Sequence, residues 1–375
     1  MSLSVVRQAK QRRWTLVAVV TALLVAVPAV VAVLRPAGQA IDPTRLRDLV
    51  LRSDTAPYQG YAHSTGALAL PELPNLADVS ALFTTTTRMH AWYAGPDRYR
   101  VAVLTTAGEH DSYRLPDGDY TWDYGTNALT KLTGEPTVRL PRASDLLPPE
   151  IARWVLRSAP GDGVTALAGR HVAGVAASGL RLVPADPDTT IGQVDVWADP
   201  GTGLPVRVEV TARGQQAPGL VTEFDDVDQT APDVAAPKPA PGSGFTVTHA
   251  PDISSVLGAR GRARLPATLA GRPVRTADFA GVQGAALYGS GLATFAVAAV
   301  PADFADDAAD AAKKAGGATE ALPVGTGVFL SITPLSLAVV HPPGARSAYL
   351  LAGLVSHQVL RAAADQLSQL HWGSR

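Results

Sequence analysis

No residue pattern in this sequence matches a known type of enzyme active site. The passage closest to the exposed serine turn of a hydrolase is Tyr288-Gly289-Ser290-Gly291-Leu292, which lacks the first glycine of Gly-x-Ser-x-Gly. We therefore interpret Ser290 as part of a turn that leads into a strand. Neither a glycine-rich dinucleotide loop nor a Gly-Lys-Ser/Thr phosphate loop occurs. The sequence predicts no catalytic residue and no cofactor, and we expect the protein not to be an enzyme.

The sequence also lacks the residue spacing of a metal site. It contains no cysteine, which excludes disulfides and thiolate zinc sites, and its eight histidines include no His-x-x-x-His pair. The acidic segment 225–228 lacks the further ligand positions of a calcium loop, so it predicts a polar strand end. Neighbouring side chains of a strand point to opposite faces, and the segment 109–111 therefore predicts a solvated turn edge. We expect no metal.

Two predicted hairpins carry apolar side chains at alternate positions, so each hairpin has one apolar face. These positions are Met89, Ala91, Tyr93, Tyr99, Val101 and Val103 in the first hairpin and Val194, Val196, Val206 and Val208 in the second. One interpretation of both faces is a filled core. The other is a concave apolar pocket for an acyl chain or an apolar peptide. Because the strands carry no dense group of cations, we expect apolar contacts to dominate such a pocket.

Length and composition indicate a globular protein of about two domains. Of the 375 residues, 46% are hydrophobic, which suffices for a sizeable core, and only 17% are charged. The first 40 residues hold five of the 32 basic residues and no acidic one, which leaves 27 basic against 33 acidic residues in the remainder. A net charge of −6 there provides no basic face for nucleic acid, which we therefore exclude as a partner.

The N-terminus predicts a membrane anchor within residues 1–40. Residues 15–34 form an uncharged apolar run of 20, which as a helix would span about 30 Å, the thickness of a hydrocarbon core. Basic residues before the run predict a cytoplasmic N-terminus and an extracytoplasmic remainder. A second interpretation stays open, because Gly38-Gln39-Ala40 offers the small residues of a signal-peptide cleavage site after Ala40.

Residues 41–228 predict one β-rich domain. Asp42 is a helix cap before Pro43, and a second helix begins at Pro148 and runs to about Ser158. The remaining residues form roughly eleven short strand-like runs separated by turns. Two helices are too few for an α/β fold, so we expect an antiparallel sheet or barrel.

A linker and a smaller domain follow. Proline and glycine cluster between Asp228 and Gly244, a composition typical of an extended linker, which we place at 229–244. Residues 245–375 predict a small α+β domain. Its strands fall at 285–300 and near Val328, Leu335 and Ala348, and its helices at 302–315 and from Ser356 onwards.

Several passages resemble a known family. PYQGYAHSTGALALPEL from Pro57, MHAWYAGPDRYRVAVL from Met89 and QVDVWADPGTGLPVRVEV from Gln193 resemble the unclosed β-barrel shared by LolA-type lipoprotein carriers and RseB/MucB regulators of envelope-stress sigma factors. ALYGSGLATFAV from Ala286 and YLLAGLVSHQVLRAAADQL from Tyr349 are similar to the small C-terminal domain of the RseB/MucB regulators. The resemblance implies a mainly β, α+β fold, with a LolA-like unclosed antiparallel β-barrel, its helices and a small C-terminal domain.

The same resemblance implies a function in the cell envelope. The leading hypothesis is a membrane-anchored regulator that binds an anti-sigma factor and senses a lipid or acylated protein in its barrel. The ten apolar strand positions named above are the candidate ligand-binding residues, and residues 15–34 would contact the membrane. The alternative is a lipid or lipoprotein carrier of the LolA type. A third hypothesis is a structural envelope protein with a filled barrel.

Overall fold

The computed structural model describes residues 41–68, 77–106, 108–134, 136, 139–238, 242–250, 252, 265–275, 284–342 and 347–370. These residues form two β-sheets, each with helices packed against it. The anchor predicted at residues 15–34 lies outside the described residues. No helix within the described ranges has the length and hydrophobicity needed to cross a membrane.

The first sheet contains twelve strands. In chain order they are β1 Tyr58–Gly66, β2 Thr86–Gly95, β3 Arg98–Thr105, β4 Gly108–Leu115, β5 Gly118–Asp123, β6 Ala128–Thr133, β7 Val164–Val172, β8 Val175–Leu182, β9 Ile191–Ala198, β10 Pro205–Ala212, β11 Leu220–Asp228 and β12 Gly244–His249. Their order across the sheet is β12-β6-β5-β4-β3-β2-β1-β11-β10-β9-β8-β7. Since β7 and β12 form its two edges, the sheet is unclosed. The predicted mainly β architecture with an unclosed sheet is confirmed.

Both predicted hairpins form with their apolar side chains on one face. In β2 and β3, Ala91 lies opposite Val101 and Tyr93 opposite Tyr99. In β9 and β10, Val196 lies opposite Val208. Alternation of apolar and polar residues determines this result, because a shift of one residue would expose every apolar side chain.

Three helices accompany this sheet, namely α1 Pro43–Arg52, α2 Ala77–Thr84 and α3 Pro148–Ser158. The N-terminus of α1 is capped by Asp42, whose Oδ1 accepts a hydrogen bond from the Arg45 backbone N–H at 2.9 Å. The two helices predicted from the sequence, α1 and α3, pack against each other and against the sheet. Their apolar side chains join the main core of the domain. Short 3₁₀ turns at Ser53–Thr55 and Ala143–Leu146 precede the regions that β1 and α3 occupy.

The predicted linker packs on the other face of the same sheet. Tyr113, Trp122 and Leu129 belong to a small core there, and Val234 is buried against them. The Val234 carbonyl oxygen accepts a hydrogen bond from Arg98 Nη1 at 3.0 Å. The first part of the linker is therefore attached to the sheet.

Strand β12 extends the first sheet beyond the predicted domain boundary. It begins at Gly244, where the predicted linker ends, and pairs in parallel with β6. The alternating residues Phe245 to His249 suit an extended strand, and β6 presents unpaired backbone groups that such a strand satisfies. The first strand of the second sheet begins at Thr268, which lies after the domain boundary predicted at residue 245.

The second sheet has eight strands in the order β13-β14-β15-β16-β20-β19-β18-β17. They are β13 Thr268–Leu269, β14 Arg272–Arg275, β15 Ala285–Ser290, β16 Ala293–Pro301, β17 Ala318–Ala321, β18 Thr326–Ile332, β19 Leu335–His341 and β20 Ser347–Gly353. Helices α4 Ala302–Lys314 and α5 His357–Ser368 bury their apolar side chains in two separate clusters against this sheet. Ser290 ends β15 before the turn into β16, as predicted.

A short segment of the first domain, residues 186–190, contacts the second domain. Thr189 Oγ1 donates a hydrogen bond to the Leu292 carbonyl oxygen at 2.9 Å, and the Asp188 carbonyl accepts one from the Ser356 N–H at 2.7 Å. Arg272 of β14 pairs with both Asp186 and Asp188 at 2.9 Å. Polar contacts therefore hold the two domains together at this junction.

Candidate ligand-binding site

A cavity of about 290 Å³ lies between strands β1, β2 and β3 of the large sheet and helix α3. The strands contribute an apolar and aromatic wall that includes Ala91 and Val101. The 3₁₀ turns and α3 contribute a polar wall that includes Ser144 and Glu150. The cavity is small, at the lower end of the roughly 300–1,000 Å³ typical of small-molecule sites.

Three stacked tyrosines form the aromatic wall. Tyr58, Tyr93 and Tyr99 lie directly opposite one another on β1, β2 and β3. The ring centroids of Tyr58 and Tyr93 are 4.9 Å apart, and those of Tyr93 and Tyr99 are 5.9 Å apart. Burial raises the pKa of Tyr93 to about 12, and its hydroxyl donates a hydrogen bond to the Asp54 carbonyl at 2.6 Å. The wall is therefore uncharged at physiological pH.

Ion pairs dominate the polar wall. Arg153 of α3 is only 2% exposed and pairs with Glu150, one helical turn earlier. Its Nη1 also donates a hydrogen bond to the Ser53 carbonyl oxygen at 3.1 Å. Arg139 forms two hydrogen bonds of 2.7 Å with the carboxylate of Asp145. Each of these two guanidinium groups is thus largely neutralised by a carboxylate.

Tyr58 lines this cavity, and its buried hydroxyl has no hydrogen-bond partner among the described residues. Tyr58 is fully buried. Burial raises the pKa of its hydroxyl well above the ordinary value, and the negative charge of Glu150 raises it further, against the opposing effect of Arg153. The hydroxyl is therefore a neutral donor that lacks an acceptor, which is costly in a protein interior.

The structure divides the ten candidate residues into two groups. Ala91, Tyr93, Tyr99 and Val101 line the cavity. The others lie elsewhere: Met89, Val194, Val196, Val206 and Val208 are buried in the main core, and Val103 is half-buried on β3. That all ten residues bind ligand stays a prediction, because only the first group is in contact with the cavity.

Sequence reasoning missed Tyr58 and the whole polar wall. Tyr58 carried a usable signal, since it alternates with the small residues Gly60 and Ala62 on one face of β1. Arg139 and Arg153 carried none, because they lie outside the strands and reach the cavity only through the packing of α3 and its preceding segment. The cavity is thus less apolar than the strand residues alone predict.

A buried carboxylate lies on the opposite face of the sheet. The prediction that the segment 109–111 is a solvated turn edge is wrong for Asp111, which lies within β4 and is 3% exposed. Its Oδ2 accepts a hydrogen bond from the Tyr113 hydroxyl at 2.8 Å and pairs with Arg100 at 2.8 Å. Because β4 begins at Gly108, Asp111 lies inside the strand and not in the turn before it. Asp111 and Tyr113 are two residues apart and therefore share one face of the strand. Burial raises the pKa of Asp111 to about 6.

Asp111 should make the protein less stable as the pH rises from about 4 to about 6. The pKa of Asp111 is about 6 in the folded protein, and its ordinary value, which applies to the unfolded chain, is 3.8. The folded protein therefore holds this proton more tightly than the unfolded chain does. The resulting stabilisation is complete below the lower value and is lost as the pH rises through the higher one. Its upper limit is about 3 kcal/mol, at roughly 1.4 kcal/mol per pKa unit.

Urea unfolding at several pH values, followed by tryptophan fluorescence, measures this effect. Asp111→Asn removes the titrating group, so the free energy of unfolding of the variant should vary less over this pH range than that of the wild type. Equal pH profiles for the two proteins would show that Asp111 does not titrate there.

Among the described residues, no group of three or more histidine or acidic side chains is placed to hold a metal ion. In the acidic segment at the end of β11, Asp225 pairs with His63, and its Oδ1 lies 2.9 Å from Nδ1 of the histidine. The candidate site is therefore the tyrosine-lined cavity.

Several proteins of solved structure are similar to this chain. No family model and no curated protein matches it. MucB of Pseudomonas aeruginosa, in its complex with MucA, is similar with a TM-score of 0.46 and 16% identity, over 86% of this chain and 97% of that one. LprF from Mycobacterium bovis is similar with a TM-score of 0.32 and 10% identity, over 53% of this chain and 96% of that one.

A LolA superfamily protein from Nitrosomonas europaea is similar with a TM-score of 0.22 and 12% identity, over 51% of this chain and 94% of that one. Because these TM-scores are below 0.5, the similarities carry no inference about a ligand or a partner. MucB, which belongs to the group of regulators that the sequence passages resemble, is among the solved structures similar to this chain.

Proposed function

We propose that this protein is a non-enzymatic, extracytoplasmic regulator that binds a membrane-anchored anti-sigma factor and responds to a lipid or lipoprotein ligand. The observation that carries the proposal is a tyrosine-lined cavity in one domain that is bonded directly to a second domain. The passages that resemble RseB/MucB regulators come from both domains, and they support an anti-sigma factor as the partner.

Helix α3 provides a physical route from the cavity to the second domain. Glu150 and Arg153 of α3 line the cavity. The other end of the helix lies near the turn before β16, where a Cβ on Gly291 would be 3.7 Å from the Ser158 carbonyl oxygen. Leu292 of that turn is buried in the core of the first domain. A ligand that favours one position of α3 would therefore shift the arrangement of the two domains, provided that its affinity differs between the two states.

Capture of the partner tests the regulatory role. The full-length protein is crosslinked in membranes and then purified. We expect an anti-sigma factor to be purified with it. Recovery of none under efficient crosslinking would contradict the proposal.

The junction between the domains should influence this capture. Arg272→Ala removes the pairs with Asp186 and Asp188, and we expect it to lower recovery several-fold because it weakens the junction that fixes the two domains relative to each other. Lys314→Ala, at the exposed end of α4, is the matched control and should leave recovery unchanged. If both variants recover the partner as the wild type does, the junction plays no part in binding.

The fate of the N-terminus separates the regulator from a carrier. As part of the proposal, residues 15–34 stay in the membrane as an anchor, and an anchored protein cannot shuttle cargo across the envelope. The intact mass of the protein from membranes should then include residues 1–40. A mature chain that begins at Ile41 would favour the carrier.

A further inference from the structure

We propose that the first domain docks on the surface of the membrane that holds its anchor, with the exposed side chain of Trp154 placed among the lipid headgroups. The inference goes beyond the proposed function but rests on it, because it requires residues 15–34 to remain in the membrane. Two independent observations carry it: an exposed tryptophan on α3, and the short stretch of chain between the predicted span and α1.

Trp154 is the exposed tryptophan in the described part of the chain. Its side chain is 52% exposed, whereas Trp92 is half-buried and both Trp122 and Trp197 are buried. Tryptophan is enriched where a protein meets lipid headgroups, because its ring is apolar and its indole N–H donates a hydrogen bond. The chemistry of this side chain therefore suits the headgroup layer of a membrane.

The residues around Trp154 suit the same contact. Arg157 is exposed and lies three residues further along α3, so it shares a side of the helix with Trp154, and its guanidinium can pair with a lipid phosphate. Pro160 is exposed in the turn after α3. Val183, which follows β8, is 49% exposed, and β8 pairs with the strand that begins after this turn. The end of α3 thus presents a tryptophan, two smaller apolar side chains and one cation to solvent.

The chain enters the first domain next to this end of α3. Helix α1 begins at Pro43, and Arg47 lies about 6 Å further along it, at 1.5 Å per residue. The Arg47 guanidinium donates hydrogen bonds to the carbonyl oxygens of Leu156 at 3.2 Å and Asp162 at 2.8 Å. Trp154 precedes Leu156 by two residues. The start of α1 and Trp154 are therefore close neighbours in the fold.

The connection between α1 and the predicted anchor is short. The predicted span ends at Leu34, Arg35 follows, and only residues 36–42 precede α1. Fully extended, these residues reach about 25 Å, at roughly 3.5 Å per residue. A surface held this close to a membrane has a high effective concentration there, so a single tryptophan suffices for docking that it could not maintain from free solution. The membrane is therefore the occupant that the connection brings to Trp154.

Charge alone would not hold this surface on a membrane. The exposed cations of α1, Arg45 and Arg52, are balanced by the exposed carboxylates of Asp42 and Asp48, which leaves the single charge of Arg157. Attraction between one cation and lipid phosphates is weak and is screened by salt. We therefore expect docking to depend on Trp154 and to occur on phosphatidylcholine, which carries no net charge.

Quenching by brominated lipids tests the inference in full-length protein reconstituted into phosphatidylcholine nanodiscs. The difference in tryptophan emission between the wild type and Trp154→Phe isolates the signal of Trp154. We expect this signal to lose at least about half of its intensity when the lipid carries bromine near the headgroup end of its acyl chains, because the indole lies at that depth. A loss below about a tenth would overturn the inference, since Trp154 would then lie outside the bilayer.

Trp92→Phe is the matched control. Trp92 lies on the face of β2 that points away from α3, because its neighbours Ala91 and Tyr93 belong to the core that α3 covers. The difference signal of Trp92 should change by less than about a tenth in the brominated lipid. Equal quenching of the Trp92 and Trp154 signals would contradict docking through α3.

A protein surface is the other occupant that the test distinguishes. If acrylamide quenches the Trp154 signal in nanodiscs as it quenches free tryptophan, and protection appears only after an anti-sigma factor is added, Trp154 binds protein and the inference is wrong. Partner capture without lipid quenching would reject the docking and leave the regulatory role in place. Lipid quenching without partner capture would support the docking and contradict the regulatory role.

Discussion

Val196→Asp is expected to prevent the first domain from folding. Val196 is fully buried between Val208 on β10 and Leu180 on β8, and all three belong to the main core beneath α1 and α3. A carboxylate there would have neither water nor a cation. Such an unpaired buried charge costs several kcal/mol, which is comparable with the roughly 5–15 kcal/mol total stability of a domain. We expect insoluble protein or loss of the cooperative unfolding transition.

The matched control is Val247→Asp in β12. Val247 is also a strand valine of the first sheet, but its side chain is 56% exposed, so a carboxylate stays hydrated there. We expect its free energy of unfolding to lie within about 0.5 kcal/mol of the wild type, as is usual for surface substitutions. Soluble expression and urea unfolding measure both variants. A folded, soluble Val196→Asp protein would mean that this part of the barrel is hydrated and open to a ligand.

Gly203→Ala should destabilise the protein strongly through its contact with α1. Gly203 ends the turn between β9 and β10 with a φ of +76°, and an added Cβ would lie 2.5 Å from the backbone carbonyl carbon of Leu49. Backbone of a helix cannot move aside as a flexible side chain can. The strained conformation costs about 1 kcal/mol and overpacking a further 1–3 kcal/mol, so we expect a loss of about 2–4 kcal/mol.

Gly174→Ala isolates the conformational part of this cost. Gly174 has a similar φ of +83°, but no atom lies within 4 Å of the position that an added Cβ would occupy. This variant should lose only about 1 kcal/mol. Thermal or urea unfolding of both proteins gives the difference. Equal losses would show that α1 moves away from the turn at little cost.

The proposed regulation requires the two domains to be coupled through the junction between them. The second domain touches the first at residues 186–190 through backbone hydrogen bonds and the pairs of Arg272, and at Leu292 through the core. The proposed regulation would require two arrangements of these contacts with similar free energy. An affinity difference of tenfold between them corresponds to about 1.4 kcal/mol, which is within reach of a single ligand contact.

The strands of the first sheet and the faces of its hairpins could be predicted from local sequence patterns. Alternation of apolar and polar residues, as in Val206 to Glu209, is a local pattern with a direct structural meaning, and helix caps such as Asp42 are local as well. The eleven strands expected before the linker are β1 to β11. The sequence pattern also identified four residues of the cavity wall, because these residues lie on the apolar face of a predicted hairpin.

Which part of that apolar face is core and which part lines the cavity depends on tertiary packing. Val196 and Val101 have the same pattern in sequence, but α1 and α3 cover the strands around Val196, whereas a gap remains in front of Val101. The same packing brings Arg153 to Ser53 and close to Tyr58, across about a hundred residues of chain. Local patterns cannot encode such contacts, because they depend on how helices and sheet pack rather than on the spacing of neighbouring residues.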